Sequence, residues 1–358
     1  MGVEARDHLQ SIQILRAAAA LAVVLFHLTF PLDVSFGVLP ADAFTVGANG
    51  VDVFFVLSGF IMALTTARED QRSPVQFVWK RVIRILPLYW VLTLAVFGIG
   101  MVAPHLLNSG AATWEELAKS LAFIPYERAV DGRMAPVLFL GWTLNYEMFF
   151  YAIFALALAV APRWRLQLVV GAISIIAAIG YVAGPSLGML GRFYTDGIIL
   201  EFAAGCLLYA AWEGRPELFR KAAPLAWIGL ALLLVQNFVH VPLTREIGKG
   251  IPALMIVAGV LGMSVPRGTV GRFFSRVGDA SYSLYLGHPY AIAICVKACL
   301  AVLGAGLVGA IAATTLSLAV AVAAALASFY WLERPSNNLL RGLIPTRLPY
   351  FMKSNQPS

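Results

Sequence analysis

The chain has 358 residues, of which 60% are hydrophobic and 13% are charged, and its mean hydropathy is +0.79. Soluble domains are about half apolar and about a quarter charged, so a soluble core cannot absorb this many apolar side chains. The net charge of +7 does not indicate a nucleic-acid partner, because the Lys and Arg residues lie in short segments between long apolar runs.

Apolar runs of about 18 residues or more, with few charges, predict membrane-spanning helices. The first run is interpreted as a retained helix rather than a signal peptide, because it contains Arg16 and no small-residue cleavage site follows it. The predicted fold is all-α: a polytopic membrane helical bundle of about ten helices, forming one domain over residues 1–358 with no appended soluble domain. The predicted spans cover residues 12–31, 50–67, 84–103, 136–160, 166–184, 191–212, 224–241, 248–265, 280–301 and 304–330.

The distribution of positive charge gives the orientation of these spans. With the N-terminus in the cytosol, 19 of the 26 Lys and Arg residues lie on the cytosolic side and 7 lie on the other side. This bias predicts that both termini are cytosolic. It also predicts that the long segment 104–135 faces away from the cytosol.

Ionisable side chains inside a membrane are costly, so each needs a partner, a watery cavity or a function. Arg16 and His27 in the first span are 11 residues apart, which places them within about 20° of one helix face and roughly 16 Å apart along the axis. We therefore expect both to point into one interior groove, with Arg16 near its cytosolic mouth. The structural alternatives are a snorkelling arginine and a histidine bonded to a neighbouring helix.

The second span contains Asp52 and Ser58 in a glycine-bearing apolar run. Asp52 is expected either to orient a histidine or to pair with an arginine. Ser58 lacks the surroundings of a nucleophile elbow, and serines in membrane helices usually bond to their own backbone, so the structural role is favoured.

Arg81 and Arg84 lie three residues apart at the cytosolic start of the third span and share a helix face. Two such guanidinium groups can bind phosphates in bidentate fashion. The alternative is ordinary positive-inside topology.

The fourth span carries Glu147 on one face with Thr143 and Tyr151, at spacings of four residues. This carboxylate is expected to hold a histidine or an arginine, to move a proton, or to form an interhelical pair. Glu201 in the sixth span is a second candidate for a buried carboxylate.

Ser281, Tyr285 and His288 form a polar stripe in the ninth span, which suits a water-lined cavity. Glu333 lies at the cytosolic end of the last span. The three cysteines, Cys206, Cys295 and Cys299, all lie in apolar runs and are interpreted as small buried hydrophobes, so no metal site is predicted.

In this arrangement the sequence resembles the acyltransferase 3 family of multi-spanning membrane enzymes. The resemblance covers nearly the whole chain, and its motifs occur in the family's order. The matching strings are Leu15-Arg16 with His27, Gly50-Val51-Asp52-Val53-Phe54-Phe55-Val56-Leu57-Ser58-Gly59-Phe60, Arg81-Val82-Ile83-Arg84-Ile85-Leu86-Pro87, Trp142-Thr143-Leu144 with Glu147, Ser281-Tyr282-Ser283-Leu284-Tyr285-Leu286 with His288, and Glu333-Arg334-Pro335.

The resemblance implies transfer of a short acyl group, often acetyl from acetyl-CoA, to a hydroxyl of exopolysaccharide or another cell-envelope glycan. It implies a multi-pass protein of the inner (plasma) membrane. The expected partners are acyl-CoA as cosubstrate, a glycan or lipid-linked sugar acceptor and membrane lipid. No permanently bound cofactor and no nucleic acid are expected, and association of identical copies is left open.

The resemblance also implies that Arg16 and His27 are active-site residues and that Arg81 and Arg84 handle the donor. We expect His27 to be the general base, oriented by Asp52 or Glu147. Arg16 is expected to join the two donor-binding arginines. Acceptor or cavity lining is expected from Ser281, Tyr285, His288 and Glu333.

Two other classes of function remain open from the sequence. Arg16, His27, Glu147, Glu201 and His288 could form the proton path of a proton-coupled transporter of a glycan precursor or another solute. Such transporters often show two related halves, and no repeat is visible here. A non-catalytic subunit of a polysaccharide export complex is the third reading.

Overall fold

The computed structural model describes residues 3–68, 73–104, 112–128, 132–239, 243–264 and 268–342. Within these ranges the chain is helical, and the only extended pairing is the isolated bridge between Glu127 and Met134. The predicted all-α class is therefore confirmed. The helices are α1 Val3–Phe36, α2 Gly50–Arg68, α3 Pro74–Val102, α4 Trp114–Leu121, α5 Trp142–Val160, α6 Arg165–Ala183, α7 Met189–Tyr194, α8 Leu200–Gly214, α9 Pro216–Phe219, α10 Ala223–Phe238, α11 Ile251–Val260, α12 Thr269–Asp279, α13 Ser281–Leu303, α14 Leu307–Ser328 and α15 Arg334–Arg341.

Over the described residues, eight helical segments are long and apolar enough to cross a membrane. The predicted spans 224–241 and 248–265 correspond to shorter elements: α10 has 16 residues, and α11 adds 10 residues to the π-helical segment Glu246–Gly250. A span needs about 20 residues, so the expected ten helices divide into eight full-length segments and two short apolar ones.

The sixth predicted span is broken rather than continuous. It comprises α7 and α8 with a turn between them, in which the Asp196 carboxylate accepts a hydrogen bond of 2.9 Å from the backbone N–H of Ile198. The fourth span begins later than predicted, because residues 136–141 approach α5 through the short 3₁₀ turn Phe139–Gly141.

Helix α2 lies at the centre of the bundle and packs against α1, α5, α8 and α11. Its closest approach is to α8, where Gly59 and Gly205 face each other's backbones. A Cβ atom at Gly205 would overlap the carbonyl oxygen of Val56, and one at Gly59 would overlap that of Phe202. Small residues permit this backbone contact between membrane helices, where the packing itself is the main source of stability.

We expect Gly205→Ala to destabilise the protein by about 1–3 kcal/mol, because the added methyl group forces α2 and α8 apart. The measurement is the melting temperature of the purified protein in detergent. The matched control is Gly171→Ala on α6, where an added Cβ atom meets nothing within 4 Å. Equal melting temperatures for the two variants would contradict the close contact.

The segment 112–128 packs on the C-terminal end of α3, at the end of the bundle that also holds Phe139. Ser120 makes two hydrogen bonds across this contact. Its backbone oxygen accepts a hydrogen bond of 3.1 Å from the Tyr89 hydroxyl, and its Oγ accepts one of 2.9 Å from the Val137 N–H. These two hydrogen bonds fix the path of residues 136–141, and with it the position of Phe139.

Candidate active site

A cavity lies between α1, α2, α3, α5 and α13. Its apolar wall comes mainly from one face of α2. The polar residues that line it are Arg16, Ser58, Arg84, Thr143, Glu147, Tyr151, Ser281, Tyr282 and Tyr285.

The cavity is polar at one end and aromatic at the other. The α2 residues that line it run from Val51 to Met62, a distance of roughly 16 Å along the helix. Arg84 lies towards the Met62 end, because Arg81, one turn earlier on α3, bonds to Thr65 near that end of α2, and Arg16 lies within electrostatic range of Arg84. Tyr285 lies at the Val51 end, beyond the middle of the cavity.

Arg16 is 8% exposed, and its Nη1 donates a hydrogen bond of 3.2 Å to Gln13 Oε1. It lies within electrostatic range of Arg84 and of the carboxylates of Glu147, Asp279 and Glu333. Two guanidinium groups at the mouth of a cavity give it an affinity for anions such as phosphates.

The two arginines of the third span are placed differently. Arg84 lines the cavity. Arg81 donates a hydrogen bond of 3.2 Å to Thr65 Oγ1 on α2, and its guanidinium carbon is 5.6 Å from the Phe77 ring centroid. Arg81 is not among the residues that line the cavity.

Glu147 lies halfway along the cavity and accepts hydrogen bonds from two hydroxyls. Ser58 Oγ donates to Glu147 Oε1 at 3.3 Å, and the Tyr151 hydroxyl donates to the same oxygen. Ser58 therefore donates to a carboxylate of another helix, whereas the role favoured from the sequence was a bond to its own backbone.

His27 is partly buried on α1, and its neighbours differ from those expected. Its Nδ1 lies 2.9 Å from the Val23 carbonyl oxygen and 3.2 Å from His288 Nε2. Its ring centroid is 5.8 Å from that of Phe139. The expectation that Asp52 or Glu147 orients this imidazole is wrong in this structure, because His288 occupies that position.

Arg16 lines the cavity, whereas His27, about three turns further along α1, lies outside its lining. Tyr285 connects the cavity with the histidine pair: its ring centroid is 6.3 Å from that of Phe54, which lines the cavity, and 6.3 Å from that of His288.

Two of the predicted acceptor-lining residues, His288 and Glu333, likewise lie outside the cavity lining, whereas Ser281 and Tyr285 are part of it. His288 is 1% exposed and faces His27. Glu333 is buried in a π-helical segment after α14 and accepts a hydrogen bond of 2.9 Å from Ser283 Oγ. Its charge is within range of Arg84, so it acts on the cavity electrostatically.

Asp52 is not part of the site, because it pairs with Arg245. Arg245 Nη2 lies 2.8 Å from Asp52 Oδ1, and Arg245 Nε lies 3.8 Å from Glu201 Oε1. Both carboxylates are almost fully buried, at 1% and 2% exposure. Arg245 was not predicted from the sequence as the partner, although two carboxylates in apolar spans are a signal that a cation is near.

Replacing Arg245 by methionine is expected to lower the free energy of unfolding by about 3 kcal/mol, because it leaves two buried carboxylates without their cation. Thermal melting of the purified protein measures this effect. Arg192→Met removes an exposed arginine of α7 and is the matched control. If both variants melt like the wild type, the ion pair contributes nothing to stability.

No group of three or more His, Cys, Asp or Glu side chains with metal-binding geometry occurs among the residues that the structure covers. The arrangement instead offers guanidinium groups at one end, a cavity with hydroxyl groups along it, and an imidazole pair beyond its far end. These parts suit the positioning of an anionic, elongated molecule with a reactive end.

Comparison with known proteins identifies the family. Residues 9–329 match the acyltransferase 3 family model, whose description is "Acyltransferase domain". The chain is 38% identical over 296 residues to the exopolysaccharide production protein ExoZ of Rhizobium meliloti, covering 82% of this chain and 90% of that protein. It is 26% identical over 319 residues to the peptidoglycan O-acetyltransferase OatA of Listeria monocytogenes, covering 79% and 49%.

A third relative is acyltransferase MdmB of Streptomyces mycarofaciens, which is 32% identical over 158 residues, or 41% of this chain and 38% of the relative. No solved structure matches the chain.

Proposed function

Because the chain belongs to the acyltransferase 3 family, we propose that it transfers a short acyl group, in particular acetyl, from acyl-CoA to a hydroxyl of a cell-envelope glycan such as exopolysaccharide. The observation that carries the proposal is the cavity between Arg16 and Arg84 at one end and Tyr285, next to the histidine pair, at the other. The names of the relatives ExoZ and OatA support a glycan acceptor.

The donor enters from the side where α1 begins, which we place in the cytosol of a cell whose inner membrane holds the protein. Arg16 and Arg84 bind the phosphates of the coenzyme. The pantetheine arm then lies along the apolar face of α2 and brings the thioester to the aromatic end. There the Tyr285 hydroxyl accepts a hydrogen bond of 3.2 Å from Thr143 Oγ1, and its own hydrogen is the donor available to a developing oxyanion.

The acceptor hydroxyl approaches His27 from the opposite side, next to Phe139. His27 takes the hydroxyl proton while the oxygen attacks the thioester carbonyl. The tetrahedral intermediate collapses, the C–S bond breaks, and the coenzyme A thiolate takes the proton from His27. The products are the ester and free coenzyme A, and the alternative of an acyl group carried on His27 predicts labelled protein in the absence of acceptor.

Reconstitution into liposomes tests the proposal. Purified protein is supplied with acetyl-CoA labelled in the acetyl group and with envelope glycan from the host. Label in the glycan is the expected result, and mass spectrometry then shows one added acyl group per modified hydroxyl. Uptake of a solute without acyl transfer would instead establish a transporter. Absence of both activities would favour a non-catalytic subunit.

A further inference from the structure

Two imidazoles on separate membrane helices are in direct contact. His288 Nε2 on α13 lies 3.2 Å from His27 Nδ1 on α1, and the ring centroids are 4.9 Å apart. His288 is 1% exposed, so it does not itself meet a solvent-borne acceptor. Any effect of His288 on the acceptor therefore acts through its contact with His27.

The hydrogen-bond partners fix which nitrogens carry hydrogen. His27 Nδ1 is 2.9 Å from the carbonyl oxygen of Val23, and His288 Nδ1 is 3.1 Å from that of Leu284. A carbonyl oxygen only accepts, so both Nδ1 atoms are protonated. A neutral imidazole with hydrogen on Nδ1 has a bare Nε2.

The bare Nε2 of His288 therefore accepts from His27 Nδ1–H, a hydrogen that His27 shares with the Val23 carbonyl. This leaves His27 Nε2 as the unprotonated nitrogen, which is the atom that a general base requires. None of the described carboxylates is hydrogen-bonded to His27. In a Ser-His-Asp triad a carboxylate accepts from the histidine Nδ1–H, and here His288 Nε2 lies in that position.

We propose that His288 is a positioning residue that, together with the Val23 carbonyl, holds His27 in the tautomer with a free Nε2 and that stabilises its imidazolium form during acyl transfer. The proposal rests on the proposed function. When the acceptor proton reaches His27 Nε2, the ring becomes charged and the bond from Nδ1–H to His288 becomes charge-assisted. The contact is then stronger in the transition state than in the resting enzyme, which is the condition for a contribution to rate.

The competing reading is that the two histidines merely tie α1 to α13. Three substitutions of His288 separate the two readings. Glutamine places Oε1 near the position of Nε2 and can still accept from His27. Asparagine reaches only to the position of Nδ1, and methionine fills the space without an acceptor of comparable strength.

We expect His288→Gln to keep kcat within about tenfold of the wild type, and His288→Asn and His288→Met to lower kcat by about 10²-fold, the lower end of what a general base contributes. The KM for acetyl-CoA should not change, since His288 does not line the donor cavity. Melting temperatures of all three variants show whether they fold. Equal kcat values for the three folded variants would overturn the proposal.

Nitrogen-15 NMR of labelled histidine gives a readout that does not depend on activity. The chain has five histidines, and the His27→Ala variant assigns the His27 signals. The wild type should show the tautomer with hydrogen on Nδ1, and His288→Met should show a smaller preference for it, because the Nδ1 hydrogen then keeps the Val23 carbonyl as acceptor and loses His288. An unchanged tautomer preference in His288→Met would contradict the positioning role. An active His27→Ala enzyme would instead remove His27 from the mechanism, and absence of acyl transfer by the wild type would contradict the proposed function; both outcomes leave the NMR test of the contact valid.

Discussion

Replacing His27 by alanine is expected to lower the rate of acyl transfer by about 10²–10⁴-fold, which is the contribution of a positioned general base. The reason is chemical: at neutral pH a sugar hydroxyl is a weak nucleophile, and the imidazole is the side chain that titrates near that pH. The variant should reach the membrane and melt near the wild-type temperature, since His27 is only partly buried.

The measurement is the initial rate at which labelled acetyl groups enter the glycan, with wild type and variant at equal amounts of folded protein. The matched control is Thr315→Ala on α14, because this exposed hydroxyl bonds only to its own helix, at Ile311. A His27→Ala enzyme with the rate of the control would remove His27 from the mechanism. Wild-type protein that becomes labelled in the absence of acceptor would favour the alternative in which His27 carries the acyl group.

Arg84→Gln and Arg16→Gln are each expected to raise the KM for acetyl-CoA by about tenfold or more, because a hydrogen bond to a charged group is worth about 1.5–3 kcal/mol. Both guanidinium groups line the cavity mouth, and the glutamine side chain keeps most of the volume while removing the charge. Initial rates over a range of acetyl-CoA concentrations give KM and kcat separately.

The choice of controls makes this prediction specific to the cavity. Arg272→Gln removes an exposed arginine on α12, whose side chain bonds to Thr269, and should leave KM unchanged. Arg81→Gln should have a smaller effect than Arg84→Gln, since Arg81 lies against Thr65 and Phe77 rather than in the cavity lining. If Arg81→Gln raised KM more than Arg84→Gln, the donor would bind elsewhere than we propose.

The fold class followed from composition and hydropathy, because lipid-facing helices need long apolar runs whatever their neighbours are. The ends of the helices could not be predicted from hydropathy. The run predicted at 12–31 belongs to α1, Val3–Phe36, because a helix continues past the apolar run into polar residues at both ends. Hydropathy also does not distinguish the 16-residue α10 from a full-length span.

Same-face spacing along one helix placed Arg16, Arg84, Glu147, Ser281 and Tyr285 on candidate surfaces, and all five line the cavity. The roles assigned to them remain predictions. What spacing could not give was the identity of partners from other helices.

Both missed pairings join distant parts of the chain. His27 meets His288 across 261 residues, and Asp52 meets Arg245 across 193. Such contacts depend on how helices pack, which one sequence does not encode locally. The family resemblance suggested that these residues matter and left open which of them touch.

The short helices α10 and α11 have a consequence for the surrounding lipid. At 1.5 Å per residue, 16 residues span about 24 Å, which is less than the roughly 30 Å of hydrocarbon in an ordinary bilayer. Hydrophobic mismatch of this size is relieved by local thinning of the bilayer or by flanking polar side chains that reach the interface. We expect one of these two adjustments in the membrane beside this flank, where Arg245 is partly exposed.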